Sequence, residues 1–410
     1  MNIIFLTLVE IHSVEDRGIY HDLLRKFRDE GHDVTVVTPV QRYLGIETNL
    51  TEKEGVSVLQ VKTLNIQKTN IIEKGIGTLA IAHQYRDAIQ NFLPDRKFDL
   101  ILYSTPPITL VKVIDFLKKR DGAFTYLLLK DIFPQNAIDM KMMLKGGFIH
   151  RHFLRQEKQL YDISDAIGCM SPANVNYLLR HHPEIENGKV EVNPNSIEPE
   201  YRDFSPAQKT AIRRKYQLPS DKKILVYGGN LGRPQGLGFL LETIAASSNE
   251  DAFFLIVGDG TEYARIEHWF NLHQPSNAKL LGKLPKEDYD VLLSSCDIGL
   301  IFLDKNFKIP NFPSRLLSYL EMQKPVISAT DPNTDIGDII EEYRCGHKVP
   351  AGDLSAMISA VDKLVAADPT PYQAGSQQLL EKNYHVSHSY EIIMRRISSE
   401  NVPDELLMRN

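Results

Sequence analysis

Little in this 410-residue chain is extreme, and each scarcity removes a class of answer. Three cysteines, Cys169, Cys296 and Cys345, stand far apart. No two have the spacing of a zinc-ligand pair or a redox dithiol, so the usage fits a reducing cytoplasm. Cys169 and Cys296 lie in or beside apolar runs and are expected as small core residues. No run of about 18 apolar residues occurs, so no transmembrane helix is expected. The apolar opening Ile3–Val9 is too short and too lightly charged in front for a secretory leader. An excess of one charge is also missing. The net charge is -6, which gives no reason to expect a nucleic-acid partner. A cytoplasmic protein is therefore expected, with any membrane contact peripheral. What is present is ample: apolar residues make up 42% and charged residues 24%, enough for two substantial cores.

Strand-like and helix-like segments alternate along the whole chain, which implies α/β layers on mainly parallel sheets. Ile3–Val9 reads as a buried strand, Arg17–Glu30 as an amphipathic helix and Asp33–Thr38 as the next strand. Further strands fit near Val56–Val61, Phe98–Ser104, Phe124–Leu129, Ala166–Met170 and Lys189–Val192. Around residue 194 the texture changes to a proline-rich linker with one short helix, Ala207–Tyr216. The alternation restarts at Lys223, with strands at Ile224–Gly228, Phe253–Val257, Ala278–Leu281, Asp297–Phe302 and Pro325–Ala329. Two doubly wound halves in tandem are predicted. Ligands of such folds sit at the carboxyl ends of the strands, so two facing halves would enclose one cleft.

The loop after the first strand is closed by Gly18 at a helix start, where free N–H groups favour an anion. A plain turn glycine reads equally well. A stronger signal is Gly228-Gly229-Asn230-Leu231-Gly232-Arg233-Pro234-Gln235-Gly236, placed between a strand and a helix. Its glycines allow close backbone approach, and the helix that follows points its positive end the same way. A diphosphate suits that place. Gly258-Asp259-Gly260-Thr261 repeats the arrangement one strand later, with Thr261 as the expected helix cap. The third signal is Pro310-Asn311-Phe312-Pro313-Ser314-Arg315 leading to Ser318. Pro313 is expected in a helix first turn, with Ser314 and Arg315 beside free N–H groups. Arg315 could neutralise a leaving diphosphate, or it could be a solvated surface arginine.

These landmarks, taken in order, resemble the GT4 family of retaining glycosyltransferases of GT-B fold. The matching fragments are Gly31-His32-Asp33-Val34, Asp165-Ala166-Ile167, Asn193-Pro194-Asn195, Gly229-Asn230-Leu231 with Gln235-Gly236, Val257-Gly258-Asp259-Gly260, Leu281-Gly282, Cys296-Asp297-Ile298 and Pro325-Val326. Arg17-Gly18-Ile19-Tyr20, Asp131-Ile132-Phe133-Pro134 and Thr334-Asp335-Ile336-Gly337 are similar to the branch that builds bacterial capsule and O-antigen. The resemblance implies two Rossmann-like domains facing across a cleft. Residues 1–196, with a crossing helix at about 385–398, would take the acceptor; residues 197–384 would take the nucleotide sugar. It implies no cofactor and no metal, with a UDP-sugar as substrate. The chain also departs from the family. The arginine and lysine often found on the glycine loop are replaced by Asn230 and Gln235. The two family glutamates fall on Pro310 and Ser318. Arg315 is the first candidate for the missing cation, with Arg233, Lys308 and Arg17 behind it.

In the first half, Asp131 follows a strand. It is expected either to bond the transferred sugar or to orient the acceptor hydroxyl as a base; a helix cap or loop carboxylate is the plain alternative. His12, Arg17, Asn65 and Lys68 are acceptor-side candidates; a lone histidine is more often structural, and the polar stretch Asn65–Asn70 reads equally well as solvated surface. The stretch 140–158 interleaves Lys141, Lys145, Arg151, Arg155 and Lys158 with large apolar residues. It suits either the inner face of the cytoplasmic membrane, where a polyprenyl-diphosphate-linked saccharide would be the acceptor, or a half-buried helix with extended basic side chains. Two other functions fit a GT-B chain: a nucleotide-sugar epimerase, or a non-catalytic partner of an active transferase.

Overall fold

The structure, a computed structural model, describes residues 1–65 and 71–400. Its contacts divide the chain into two compact units: Met1–Glu198 together with the chain from His385, and Pro199–Tyr384. Among the described residues no helix is long and apolar enough to cross a membrane.

The first unit opens with β1 (Asn2–Leu6), α1 (Ile19–Asp29), β2 (Asp33–Gln41), β3 (Asn49–Lys53), β4 (Val56–Thr63), α2 (Ile71–Phe92) and β5 (Leu100–Ser104). It continues through α3 (Val111–Asp121), β6 (Phe124–Leu129), α4 (Gln135–Asp139), α5 (Phe148–Ile163), β7 (Ala166–Cys169), α6 (Pro172–His181) and β8 (Val190–Val192). The sheet has eight strands in the order β3-β4-β2-β1-β5-β6-β7-β8. β1 lies between two parallel neighbours, with Ile3 opposite Val34 on one side and Leu100 on the other. Its residues Ile3–Leu6 are buried, as a strand covered on both faces requires. β1 stops at Leu6, three residues before the expected end. The Thr38 hydroxyl accepts from the Ile11 N–H and donates to the Val9 carbonyl, and the Thr7 hydroxyl accepts from the Val9 N–H. Those side-chain bonds take the backbone off the ladder.

β3 was not expected from the sequence, because Asn49–Lys53 is polar and only partly covered. It is an antiparallel edge strand joined to β4 by Glu54 and Gly55, both at positive φ, as a two-residue hairpin turn demands. Gly31 adopts positive φ just past α1, which lets the chain leave the helix for β2.

The second unit comprises α7 (Pro206–Lys215), β9 (Lys223–Asn230), α8 (Leu237–Ala246), β10 (Ala252–Asp259), α9 (Tyr263–His273), β11 (Ala278–Leu281) and α10 (Lys286–Ser295). Then come β12 (Ile298–Phe302), α11 (Arg315–Glu321), β13 (Val326–Thr330), α12 (Ile336–Glu342), β14 (Gly346–Pro350), α13 (Leu354–Ala366) and α14 (Thr370–Leu379). Its parallel sheet runs β11-β10-β9-β12-β13-β14. Leu225, Tyr227, Phe254, Ile256, Leu300 and Phe302 pack with Leu240, Ile244 and Val361 into one buried cluster. The last helix, α15 (Val386–Glu400), belongs to the first unit. There Val386, Ile393 and Ile397 join Leu23, Leu24 and Phe27 in the core.

Each sheet reverses direction once beside its first strand: between β1 and β5, and between β9 and β12. The loops that leave a parallel sheet at such a reversal diverge and open a crevice at the carboxyl ends. In the first unit these are the loops after β1 and β5. In the second they are the glycine loop after β9 and the loop from Leu303 to Ser314 after β12.

Candidate functional site

At the β9/β12 reversal the second unit gathers a compact polar group. Tyr227 is the last residue with a side chain in the buried part of β9. The Arg315 guanidinium lies over its ring, 4.1 Å from the centroid, a cation–π distance. Arg315 Nη2 donates to Gln235 Oε1 at 2.7 Å, and the Tyr227 hydroxyl meets the same oxygen at 3.2 Å. Burial raises the Tyr227 hydroxyl pKa, with Arg315 opposing the shift, so the ring is neutral and donates. Arg315 Nη1 is shielded from solvent and has no hydrogen-bond partner. A guanidinium N–H left unsatisfied in a shielded place marks where an acceptor belongs.

α11 is held against the reversal by Tyr319, one turn on from Arg315 and on the same helix face. The Gly228 N–H donates to the Tyr319 oxygen at 3.3 Å, and that hydroxyl lies 3.1 Å from the carbonyl oxygens of Val226 and Leu300. One side chain thus ties β9 and β12 together. Gly299 makes the approach possible, because a Cβ there would fall 2.5 Å from the Tyr319 ring. The preceding loop is pinned as well: the Asn333 amide donates to Phe307 O at 2.6 Å, and the Thr334 hydroxyl to Asn311 O at 2.6 Å. Sequence reasoning missed Tyr227 and Tyr319. The spacing of four residues from Arg315 was the signal available for the latter.

The glycine segments differ from expectation. Gly229 and Gly258 are not turns beyond the strand ends; they are paired in register on β9 and β10. A Cβ on Gly258 would lie 1.9 Å from Gly229 O, and one on Gly260 would lie 2.5 Å from the Leu231 backbone. These two glycines bring strand ends together. Gly236 sits at φ 58, and a Cβ added there would fall 2.9 Å from the Asp304 backbone, so only glycine avoids both strain and collision. Gly229 is the exception. At φ 117, its added Cβ would meet nothing nearer than the Arg315 guanidinium at 3.9 Å. Asn230 and Asp259 are exposed neighbours at the two strand ends, and the Asp259 carboxylate accepts from the Gly260 N–H at 2.7 Å. The first turn of α8 borders a depression of about 320 Å³ lined by Arg233, Glu262, Arg265 and Lys305 among others.

Two local expectations are corrected. Thr261 does not cap α9; Glu262 occupies that position without a side-chain bond. Pro313 and Ser314 precede α11 rather than filling its first turn, because the helix begins at Arg315. Proline's missing N–H is tolerated on either side of a helix start, so the residue type did not distinguish the two placements. Ser314 is exposed and Ser318 half-buried on α11. Lys308 lies exposed in the loop before α11.

In the first unit, Lys130 and Asp131 stand at the exit of β6. The Thr105 hydroxyl, in the loop after β5, accepts from both of their backbone N–H groups at 3.1 and 3.3 Å. The Asp131 carboxylate accepts from the Asn136 amide at 2.6 Å. It caps no helix, since Pro134 precedes α4. Burial pushes its pKa up to about 6, against the backbone and Asn136 hydrogen bonds. Lys130 Nζ donates to Asn193 O at 3.2 Å, and burial pulls its pKa down to about 7. Two adjacent groups shifted toward neutrality at strand ends fit a functional position.

The other first-unit residues are dispersed. The Gly18 N–H points to the buried Asp22 carboxylate at 3.4 Å, and Asp22 also accepts from Arg25 at 2.8 Å and from the Glu198 N–H at 2.9 Å. The start of α1 thus already holds a carboxylate of its own chain. His12 is exposed, with Nδ1 2.7 Å from the Gln60 amide. Arg17 is half-buried in the same loop. Asn65 accepts from the Tyr43 N–H at 3.1 Å. Lys68 lies outside the described residues.

Residues 208–378, most of the second unit, match the family described as Glycosyl transferases group 1. The chain is 23% identical to a probable glycosyltransferase, WbjE, of Pseudomonas aeruginosa, over 70% of this chain and 72% of that one. It is 25% identical to the putative colanic acid biosynthesis glycosyl transferase WcaI of Escherichia coli K12, over 77% and 75%. Among solved structures, Anabaena HepE in complex with UDP and glucose superposes with a TM-score of 0.70 at 14% identity, covering 97% of this chain and all of that one. The fold is that of the GT-B glycosyltransferases, with two Rossmann-like units in one chain.

Proposed function

We propose that this glycosyltransferase moves a hexosyl or N-acetylhexosaminyl group from a UDP-sugar to a saccharide carried on a polyprenyl diphosphate. Transfer proceeds with retention of configuration and without a metal, at the inner face of the cytoplasmic membrane, in building a surface polysaccharide. The second unit, residues 197–384, binds the donor. The first, residues 1–196 with the last helix, takes the acceptor. The observation that carries this reading is the unpartnered Arg315 Nη1 at the carboxyl end of β9, beside the open face of Gly229. As the bond to the sugar breaks, negative charge collects on the departing diphosphate. A fixed cation there stabilises the transition state more than the ground state. Gln235 and Tyr227 hold the guanidinium in place, so little reorganisation accompanies the step. The loop lacks basic residues at 230 and 235, and Arg315 returns one charge to it from α11. UDP bound in the Anabaena structure and a colanic acid relative support the donor and the pathway class. Asp131 bonds the transferred sugar or holds the acceptor hydroxyl.

A thermal-shift comparison of UDP, GDP, dTDP and ADP tests the donor. UDP at a hundred times its Kd should stabilise the fold by about 2.7 kcal/mol, and a larger shift with another nucleotide would reassign it. Arg315→Ala should weaken UDP binding about ten-fold or more while leaving the unliganded melting temperature unchanged; unaltered affinity and turnover would remove the clamp. Donor incubated alone should stay intact, whereas conversion to an epimer would replace transfer with epimerisation.

A further inference from the structure

The sequence stretch from Lys141 to Arg155 is the most unusual surface of the first unit. Met142, Leu144, Phe148 and Ile149 are 72%, 81%, 82% and 61% exposed, and Leu154 follows on the next turn of α5. Single exposed apolar residues are ordinary; five within thirteen positions form a patch that needs a partner. Their exposure does not come from a loose backbone. The Met142 N–H donates to Ala137 O at 2.8 Å, the Gly146 N–H to His150 Nδ1 at 3.0 Å, and Arg151 Nε to Gly146 O at 2.9 Å. The other face of α5 is anchored by the buried His150, Glu157, Leu160 and Tyr161, so the apolar side chains are presented outward.

Cationic side chains flank them. Lys141, Lys145, Arg151 and Arg155 are all exposed. The one carboxylate within α5's first three turns, Glu157, is buried and bonded by the Tyr161 hydroxyl at 3.0 Å. Further along, Lys158 is paired with Glu184 at 3.2 Å. The outward surface is therefore apolar with a positive rim. A protein partner would be matched by shape; a rim of one sign around short apolar protrusions is matched by an anionic bilayer, whose head groups meet the cations while the apolar tips enter the acyl boundary.

We infer that residues 141–155, the turn before α5 and its first two turns, dock this chain on anionic lipid. The inference deepens the reading above, since a lipid-carried acceptor places transfer at a bilayer. Vesicle co-sedimentation tests it, with phosphatidylcholine alone and with phosphatidylglycerol added. The protein should pellet with the anionic vesicles only, and less so at high salt. Leu144→Ser with Phe148→Ser should lower binding ten-fold or more, and Lys141→Glu with Lys145→Glu by about five-fold or more per lysine. Both variants should keep the parent melting temperature, because the altered side chains are exposed. Phe148→Trp should shift its emission to the blue on anionic vesicles. A parent left in the supernatant, or a Leu144/Phe148 variant that binds as the parent does, overturns the inference. Transfer to a soluble acceptor separates the two readings. A protein that transfers yet ignores vesicles refutes the docking surface alone; one that binds vesicles and transfers nothing refutes the transferase reading alone.

Discussion

Lys130 and Asp131 are neighbours pushed toward neutrality from opposite sides, and this sets how the protein responds to pH. The Asp131 pKa is raised to about 6 by burial. Between the ordinary carboxyl value and 6 the folded chain holds a proton that the unfolded chain has lost. That contribution to stability fades as pH rises through this window. The Lys130 pKa is lowered to about 7, so its contribution is present at high pH and fades as pH falls through 7. Near neutrality Asp131 is mostly ionised and Lys130 only partly protonated, and each buried charge opposes folding. If Asp131 works as a carboxylate, transfer should fall about ten-fold per pH unit below 6. Asp131→Asn should lower turnover about a hundred-fold or more, keep UDP affinity, and lose that acid limb. A pH profile of the two proteins decides it; an unchanged limb in the variant would assign it to another group. Asp131 and Arg315 were legible in the sequence because each follows a buried strand. Tyr227 and Tyr319 were not, because a tyrosine in an apolar run looks like core until the partners of its hydroxyl are seen.

Among the elements, α11 has a disproportionate role for seven residues. It is too short to be stable alone. Its position comes from Tyr319 and from the loop bonds of Asn333 and Thr334. Tyr319→Phe would leave the Gly228 N–H without its acceptor and remove the one hydroxyl proton that the Val226 and Leu300 carbonyls share. It should cost about 1–3 kcal/mol, readable by urea unfolding, and it should weaken UDP binding by letting Arg315 drift. A variant with parent stability would show that packing alone holds the helix. Strand and helix periodicity made most elements readable. What escaped was decided by neighbours rather than by periodicity. β3 is polar because it is an edge, and β9 and β10 run on through glycines because bare backbone allows two strand ends to close.

On the scale of the whole molecule, the second unit is one continuous segment, whereas the first is made of two pieces. The piece from His385 is not an accessory. Val386, Ile393 and Ile397 are core residues, Tyr390 packs edge-on to Phe27 at 5.1 Å, and the Ser389 hydroxyl donates to Asn193 at 2.7 Å. Burying three aliphatic side chains contributes about 2 kcal/mol each, a large part of a stability of roughly 5–15 kcal/mol. A chain ending at Tyr384 should therefore lose its first unit on mild heating, while Pro199–Tyr384 expressed alone should fold and retain UDP binding. A truncated chain that melts like the parent would show that α15 is dispensable. The tandem halves were legible from the restart of strand periodicity at Lys223; the return of α15 came only from the family resemblance.

That return has a consequence for synthesis. A chain emerging amino end first has made β1 to β8 long before α15 exists. The apolar seat on α1 must wait, open, while some two hundred residues are added and the later half closes on itself. Domains usually mature in the order they leave the ribosome. Here the half begun first is finished last, and the final few turns of helix are what close it.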